Sequence, residues 1–188
     1  MKPLIPFALS LFSFAVMGQK FHTDFKYNDY LNKGIRIQNS YPKGGQKYTD
    51  PYSGKEYVYV IFWARIINET ASNLELEIHF PNDSFTIPSS PNTVFNLFLP
   101  KEEMAIEKEA LYNYGLDINS VLNESINKPS EVTTTTIHTK DSYLFYTVAI
   151  SNKGVNGVIR AGFELEKQDL IYKINGYKIN CGRIVSKN

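Results

Sequence analysis

The chain has 188 residues, with 20 Lys and Arg against 19 Asp and Glu, 43% hydrophobic and 14% aromatic residues, and one cysteine, Cys181. That balance excludes the basic stripe by which nucleic-acid and anionic-membrane binders release counterions, and a lone cysteine excludes an intramolecular disulfide framework. The length suits one domain with an adequate core of its own.

Residues 1–18 carry one charge, Lys2, then an apolar run over 4–16 and the short exit Val16-Met17-Gly18 before Gln19. This is the pattern of a secretory signal peptide. The run is too short for a bilayer span, which takes roughly 20 residues, so cleavage is expected rather than anchoring, with no membrane insertion afterwards. Gln19 in place of a cysteine speaks against lipid attachment. The expected product is residues 19–188, a single exported domain in the periplasm or outside the cell, electrically neutral once Lys2 is gone.

The remainder of the chain is a series of short apolar alternations separated by Pro, Gly, Asn and Asp, as in a domain of many strands. The first strand is expected over 34–40. Residues 41–56 hold Pro42, Gly44, Gly45, Asp50, Pro51 and Gly54, and read as one long loop or, in preference, a small hairpin turning at 50–54. A long apolar strand comes next, over 57–67. The polar connector 68–73 then leads to 74–80, where Leu74, Leu76, Ile78 and Phe80 alternate with Glu75, Glu77 and His79. One face of that strand is buried and the other wet. The two strands are expected to pair as a hairpin, with Pro81 ending the ladder because proline lacks the N–H donor.

After a strand over 94–99, the spacing of Ile118, Val121, Leu122 and Ile126 behind the N-cap residue Asp117 predicts a short helix, stopped by Pro129. Strands are expected again over 132–138, 143–151, 158–166, 170–174 and 177–185. Asn175-Gly176 joins the last two as a tight hairpin turn, since both residues tolerate positive φ. Many antiparallel strands with one helix predict an all-β, two-sheet antiparallel sandwich, immunoglobulin-like or a related Greek key, with a small closed barrel as the alternative.

No catalytic, metal or cofactor pattern is complete. Lys43-Gly44-Gly45-Gln46-Lys47 lacks the Lys-Ser/Thr ending of a phosphate loop and reads as a turn, and Ser53 lacks the flanking glycines of a nucleophile elbow. His22, His79 and His138 share no metal-ligand spacing, and Glu102, Glu103, Glu107 and Glu109 read as a solvated turn and strand face. Cys181 reads as a small buried hydrophobe. Neither an enzyme nor a cofactor is expected.

The strand over 57–67 is apolar on both faces. Val58, Val60, Phe62, Ala64 and Ile66 form a core stripe, whereas Tyr57, Tyr59, Ile61, Trp63, Arg65 and Ile67 lie opposite. The second face is either covered, which packing favours, or an open surface of the residue types that dominate binding hot spots. On the open reading Tyr57, Tyr59, Trp63 and Arg65, with Tyr48 and Tyr52 from the adjoining hairpin, form the candidate ligand-binding site.

The leader ending Met17-Gly18-Gln19-Lys20, the block Phe62-Trp63-Ala64-Arg65-Ile66-Ile67-Asn68-Glu69-Thr70, Asn96-Leu97-Phe98-Leu99-Pro100 and Leu111-Tyr112-Asn113-Tyr114-Gly115 resemble exported β-sandwich proteins of the Bacteroidetes type. No activity is known for that group, so the resemblance implies a Gram-negative export route and carries over no site residues. The functional expectation is a non-enzymatic binding or structural protein contacting a protein or glycan at the cell envelope. The alternative is a carbohydrate-binding module, and a hydrolase with scattered catalytic groups stands third.

Overall fold

A computed structural model describes residues 21–126, 128 and 131–187. The leader and Pro129 lie outside that range. Among the described residues the chain forms two antiparallel sheets, so the architecture is the two-sheet sandwich and not a closed barrel. The first sheet is built around β4 (Glu56–Asn68) and β9 (Ser142–Ser151), paired over most of their length. β2 (Ile35–Asn39) and β3 (Lys43–Thr49) share the other edge of β4, one against each half of it. At their junction Ser40 keeps the ladder continuous: its N–H donates to Trp63 O (2.9 Å), and its hydroxyl accepts from Trp63 N–H (2.8 Å). β1 (Thr23–Lys26) lies outside β2, while β7 (Ser90–Phe98) and β6 (Phe85–Ile87) extend the far side beyond β9.

The second sheet runs β10 (Ala161–Glu166), β11 (Asp169–Ile174), β12 (Tyr177–Lys187), β5 (Asn73–Ile78) and β8 (Thr133–Ile137). The terminal hairpin turns at Asn175-Gly176, with Ile174 opposite Tyr177 and positive φ at both turn residues. The hairpin expected between 57–67 and 74–80 does not form: β4 sits inside the first sheet and β5 inside the second. β4 is apolar on both sides and needs cover on both, whereas β5, wet on one side, suits an outward-facing sheet. The crossing at residues 69–72 is held by the buried Asn68 side chain. Its amide donates to Ser72 O and Ile137 O (both 2.9 Å), and its carbonyl oxygen accepts from Thr70 N–H (2.9 Å).

Phe62, Ala64 and Ile66 of β4, Leu74, Leu76 and Ile78 of β5, and Phe163 and Tyr172 pack between the sheets as the main core. Cys181 is fully buried there, and burial pushes its thiol up to about 12, so it behaves as a hydrophobe. A second core lies on the opposite side of the first sheet. There the connection from β7 to β8 folds over Tyr59, Ile61, Trp63, Tyr146, Val148 and Ile150. It brings Met104, Tyr114 and Leu116, then α1 (Ile118–Ser125), which buries Ile118 and Leu122 one turn apart. Asp117 caps α1 by accepting from Asn119 N–H and Ser120 N–H. The molecule is thus a sandwich with a partial third layer.

Candidate functional site

The third layer decides the fate of the aromatic face. Trp63 is 1% exposed, with the Tyr114 ring edge-on to it at 6.4 Å, and Tyr59 and Tyr48 are buried beside it. The Tyr48 hydroxyl donates to Asn123 Oδ1 on α1 (2.5 Å). Tyr57 is half-buried, packed at the margin of the same cluster. Arg65 is half-buried, and its Nε donates to Ser142 Oγ (3.0 Å). Tyr52 alone of the six is open, 82% exposed in the β3–β4 turn. The structure therefore gathers Tyr48, Tyr59 and Trp63 as packing, because burying large aromatic area against Leu116, Ile118 and Leu122 is favourable, and leaves Tyr52 apart.

What is open lies at the end of the sandwich around residues 41–46. Asn113, Tyr114 and Gly115 take consecutive left-handed conformations, with φ of 49°, 56° and 69°. For the two non-glycine residues this costs roughly 1–2 kcal/mol each. The turn drives Asn113 and Tyr114 inward and leaves Leu111 and Tyr112 outside, Tyr112 being 67% exposed. Tyr114 donates its hydroxyl to Tyr41 O (2.6 Å), and burial pushes that phenol up to about 12. The Gln46 carbonyl oxygen accepts from both Tyr59 (2.9 Å) and Tyr112, while Asn113 Nδ2 donates to the Tyr59 hydroxyl (3.1 Å). Lys43 lays its ammonium 4.0 Å over the Tyr114 ring and donates to Glu109 O (2.6 Å) and Leu111 O (2.8 Å). Burial lowers its pKa. Exposed Tyr41, Leu111 and Tyr112 are each tied to this network, through the Tyr41 and Leu111 carbonyls and the Tyr112 hydroxyl, and make up a ridge of two aromatics and a leucine.

On the other side of the same β3 segment is a cleft of about 330 Å³. Its floor is the inner face of the first sheet: Val58, Val60, Phe95 and Ala149. Val58 and Val60 are only half-buried, because the loop 154–159 stands over them instead of a strand. Glycines line both sides of the mouth. Gly45 and Gly157 have positive φ, but Gly154 does not, and a Cβ on Gly154 would meet nothing within 4 Å. Neither conformation nor internal packing explains glycine at 154. Ser151 Oγ is spoken for, donating to Lys153 O (2.9 Å). The cleft can receive an apolar group by contact.

The chemistry-bearing residues singled out from the sequence are dispersed. His22 packs against the Tyr41 ring at 5.4 Å, His79 is half-buried after β5, and His138 is exposed after β8. Glu102, Glu103, Glu107 and Glu109 lie in the loops and 3-10 turn of the covering segment rather than on a strand. Among the described residues no group of three His, Cys, Asp or Glu is placed to hold a metal ion, and no helix is long and apolar enough to cross a membrane. Periodicity missed the ridge, since Leu111 and Tyr112 sit in irregular backbone; the signal available was the aromatic run Tyr112-Asn113-Tyr114-Gly115 itself. Comparison with protein-family models, with curated proteins and with solved structures returned no match.

Proposed function

We propose that the chain is a non-enzymatic binding module, exported by its leader, that contacts a protein partner at the cell envelope through the sandwich end around residues 41–46. The observation that carries this is the juxtaposition of a half-open apolar cleft with an exposed aromatic ridge across a single strand. That arrangement matches a protein hot spot, in which one apolar anchor enters a pocket and aromatics around it exclude water. The unexplained Gly154 at the mouth fits the close approach of an outside group.

The test is selection of peptides from a displayed random library against the purified chain, repeated with Gly154→Leu and Tyr112→Ala. The expected winners share one large apolar residue. They bind each variant about tenfold or more weakly, the worth of roughly 1.5–3 kcal/mol for a buried side chain, while thermal unfolding stays unchanged. Peptides that bind both variants as well as the parent, or no enrichment at all, would refute the reading.

A second reading, a carbohydrate-binding module, is favoured by one detail. The Gln46 carbonyl is occupied by two tyrosines, so its amide is turned to an exposed surface beside the Tyr112 ring, and an aromatic plane with an adjacent donor suits a sugar. A glycan array lit by the parent and dark with Tyr112→Ala would favour it over the peptide partner.

A further inference from the structure

The sheet edges of this molecule are not treated alike. On β10 and the residue after it, outer backbone groups are taken by side chains from β2 and from the connection between β1 and β2. Asn39 donates to Phe163 O (3.1 Å) and accepts from Phe163 N–H (2.7 Å), the Tyr27 hydroxyl accepts from Leu165 N–H (2.7 Å), and Asn32 donates to Lys167 O (2.6 Å). β3 is bulged between Gly44 and Gln46 and carries Lys43 and Lys47. β6 has three residues and a bulge, and β1 has four and ends in the exposed Lys26. Each is a recognised device against strand addition.

β8 has none of them. Thr133–Ile137 runs in unbroken register with β5 as Thr-Thr-Thr-Thr-Ile, without charge, glycine, proline or bulge. Among the described residues the one group from outside β5 bonded to its backbone is the Asn68 amide, on Ile137 O at the end of the strand (2.9 Å), and none is bonded to Thr133–Thr136. Thr133 and Thr135 are half-buried and Ile137 buried, on the core side, while Thr134 and Thr136 are exposed on the outer side.

We infer that β8 is a self-pairing edge, and that two copies of the chain join antiparallel through it about a twofold axis at Thr135. The register follows from the strand's own pattern. About that axis Thr133 meets Ile137 of the second copy, Thr134 meets Thr136, and Thr135 meets Thr135. Core-side residues therefore face core-side residues, and outer face outer. Thr–Thr and other β-branched pairs are favourable cross-strand neighbours, and no like charges are brought together. The two five-stranded sheets become one continuous sheet of the dimer. An isologous contact closes on itself, so the edges are consumed rather than propagated. A ladder of five residues covers little area, so the dimer is a weak one, half-formed on the order of 100 µM.

The test is sedimentation equilibrium of the purified chain up to about 1 mM, where a dimer of that strength predominates. Thr134→Lys with Thr136→Lys sets lysine against lysine in both outer pairs and is expected to leave a monomer, with circular dichroism unchanged since both positions are exposed. Mixing it with a Thr134→Glu, Thr136→Glu chain restores a mixed dimer. Independently of those variants, Thr135→Cys cross-links into a dimer on oxidation. Thr134→Cys does not, because in this register its two copies are too far apart to bridge, and buried Cys181 takes no part. A chain still monomeric at about 1 mM, a dimer indifferent to the lysines, or equal cross-linking at 134 and 135 overturns the inference.

Discussion

The outer faces of the two sheets obey the same alternation and meet opposite fates. On β4 and β9 the outward positions hold Tyr59, Ile61, Trp63, Tyr146, Val148 and Ile150, and residues 104–126 fold down over them. On β5 and β12 they hold Glu75, Glu77, Arg183 and Lys187, which pair as Arg183–Glu77 and Lys187–Glu75 and stay in water. Lys173–Glu164 and Lys178–Glu166 continue the charged face. The difference lies in what each row of side chains gains by leaving solvent. A large apolar side chain gains roughly 1.5–3 kcal/mol on burial, enough in a row of six to recruit an irregular segment and hold it in a left-handed turn. An exposed ion pair contributes about 0–1 kcal/mol and recruits nothing.

The largest effect that should break this contrast is Trp63→Ala. It removes the centre of the covered face and should cost about 3–5 kcal/mol, read as a shift in the urea midpoint. A loss under about 1 kcal/mol would mean the third layer is not held by this residue. Next comes alkaline pH. Tyr114 has its pKa raised by burial from 10.0 to about 12, and burial also raises Tyr59 and Tyr146. A folded-state pKa above the unfolded one gives stability that is whole below pH 10 and is lost as pH climbs through the folded value. The covered face should therefore loosen between about pH 10 and 12, with tyrosinate absorbance and Trp63 emission changing together, and Tyr114→Phe should flatten that decline. The smallest effect belongs to the charged face. Lys187→Ala should change stability by less than about 1 kcal/mol and even less in high salt. A greater cost would show the wet face to be a network rather than separate pairs.

The same contrast explains which features were legible in the sequence. The alternation of Leu74 to Ile78, the Asn175-Gly176 turn, the 41–56 hairpin and the helix behind Asp117 could be read, because each rests on geometry spanning a few residues. Both faces of β4 were visibly apolar, yet whether Tyr59 and Trp63 met solvent turned on residues 104–126, far along the chain. The pairing of β5 was hidden for the same reason. Alternation shows that a strand has a wet face without naming its neighbour, and β5 joins β12, more than 100 residues later, instead of the adjacent β4.

By itself the sequence determined an all-β chain of alternating strands, because side-chain period and turn chemistry are local properties. Tertiary structure decided which strands share a sheet, which aromatic face is covered, where the Gly45–Gly154 cleft opens and that β8 stands at the edge of its sheet. Those outcomes depend on competition between distant segments for the same apolar surface and the same backbone groups, and no short window of residues contains it.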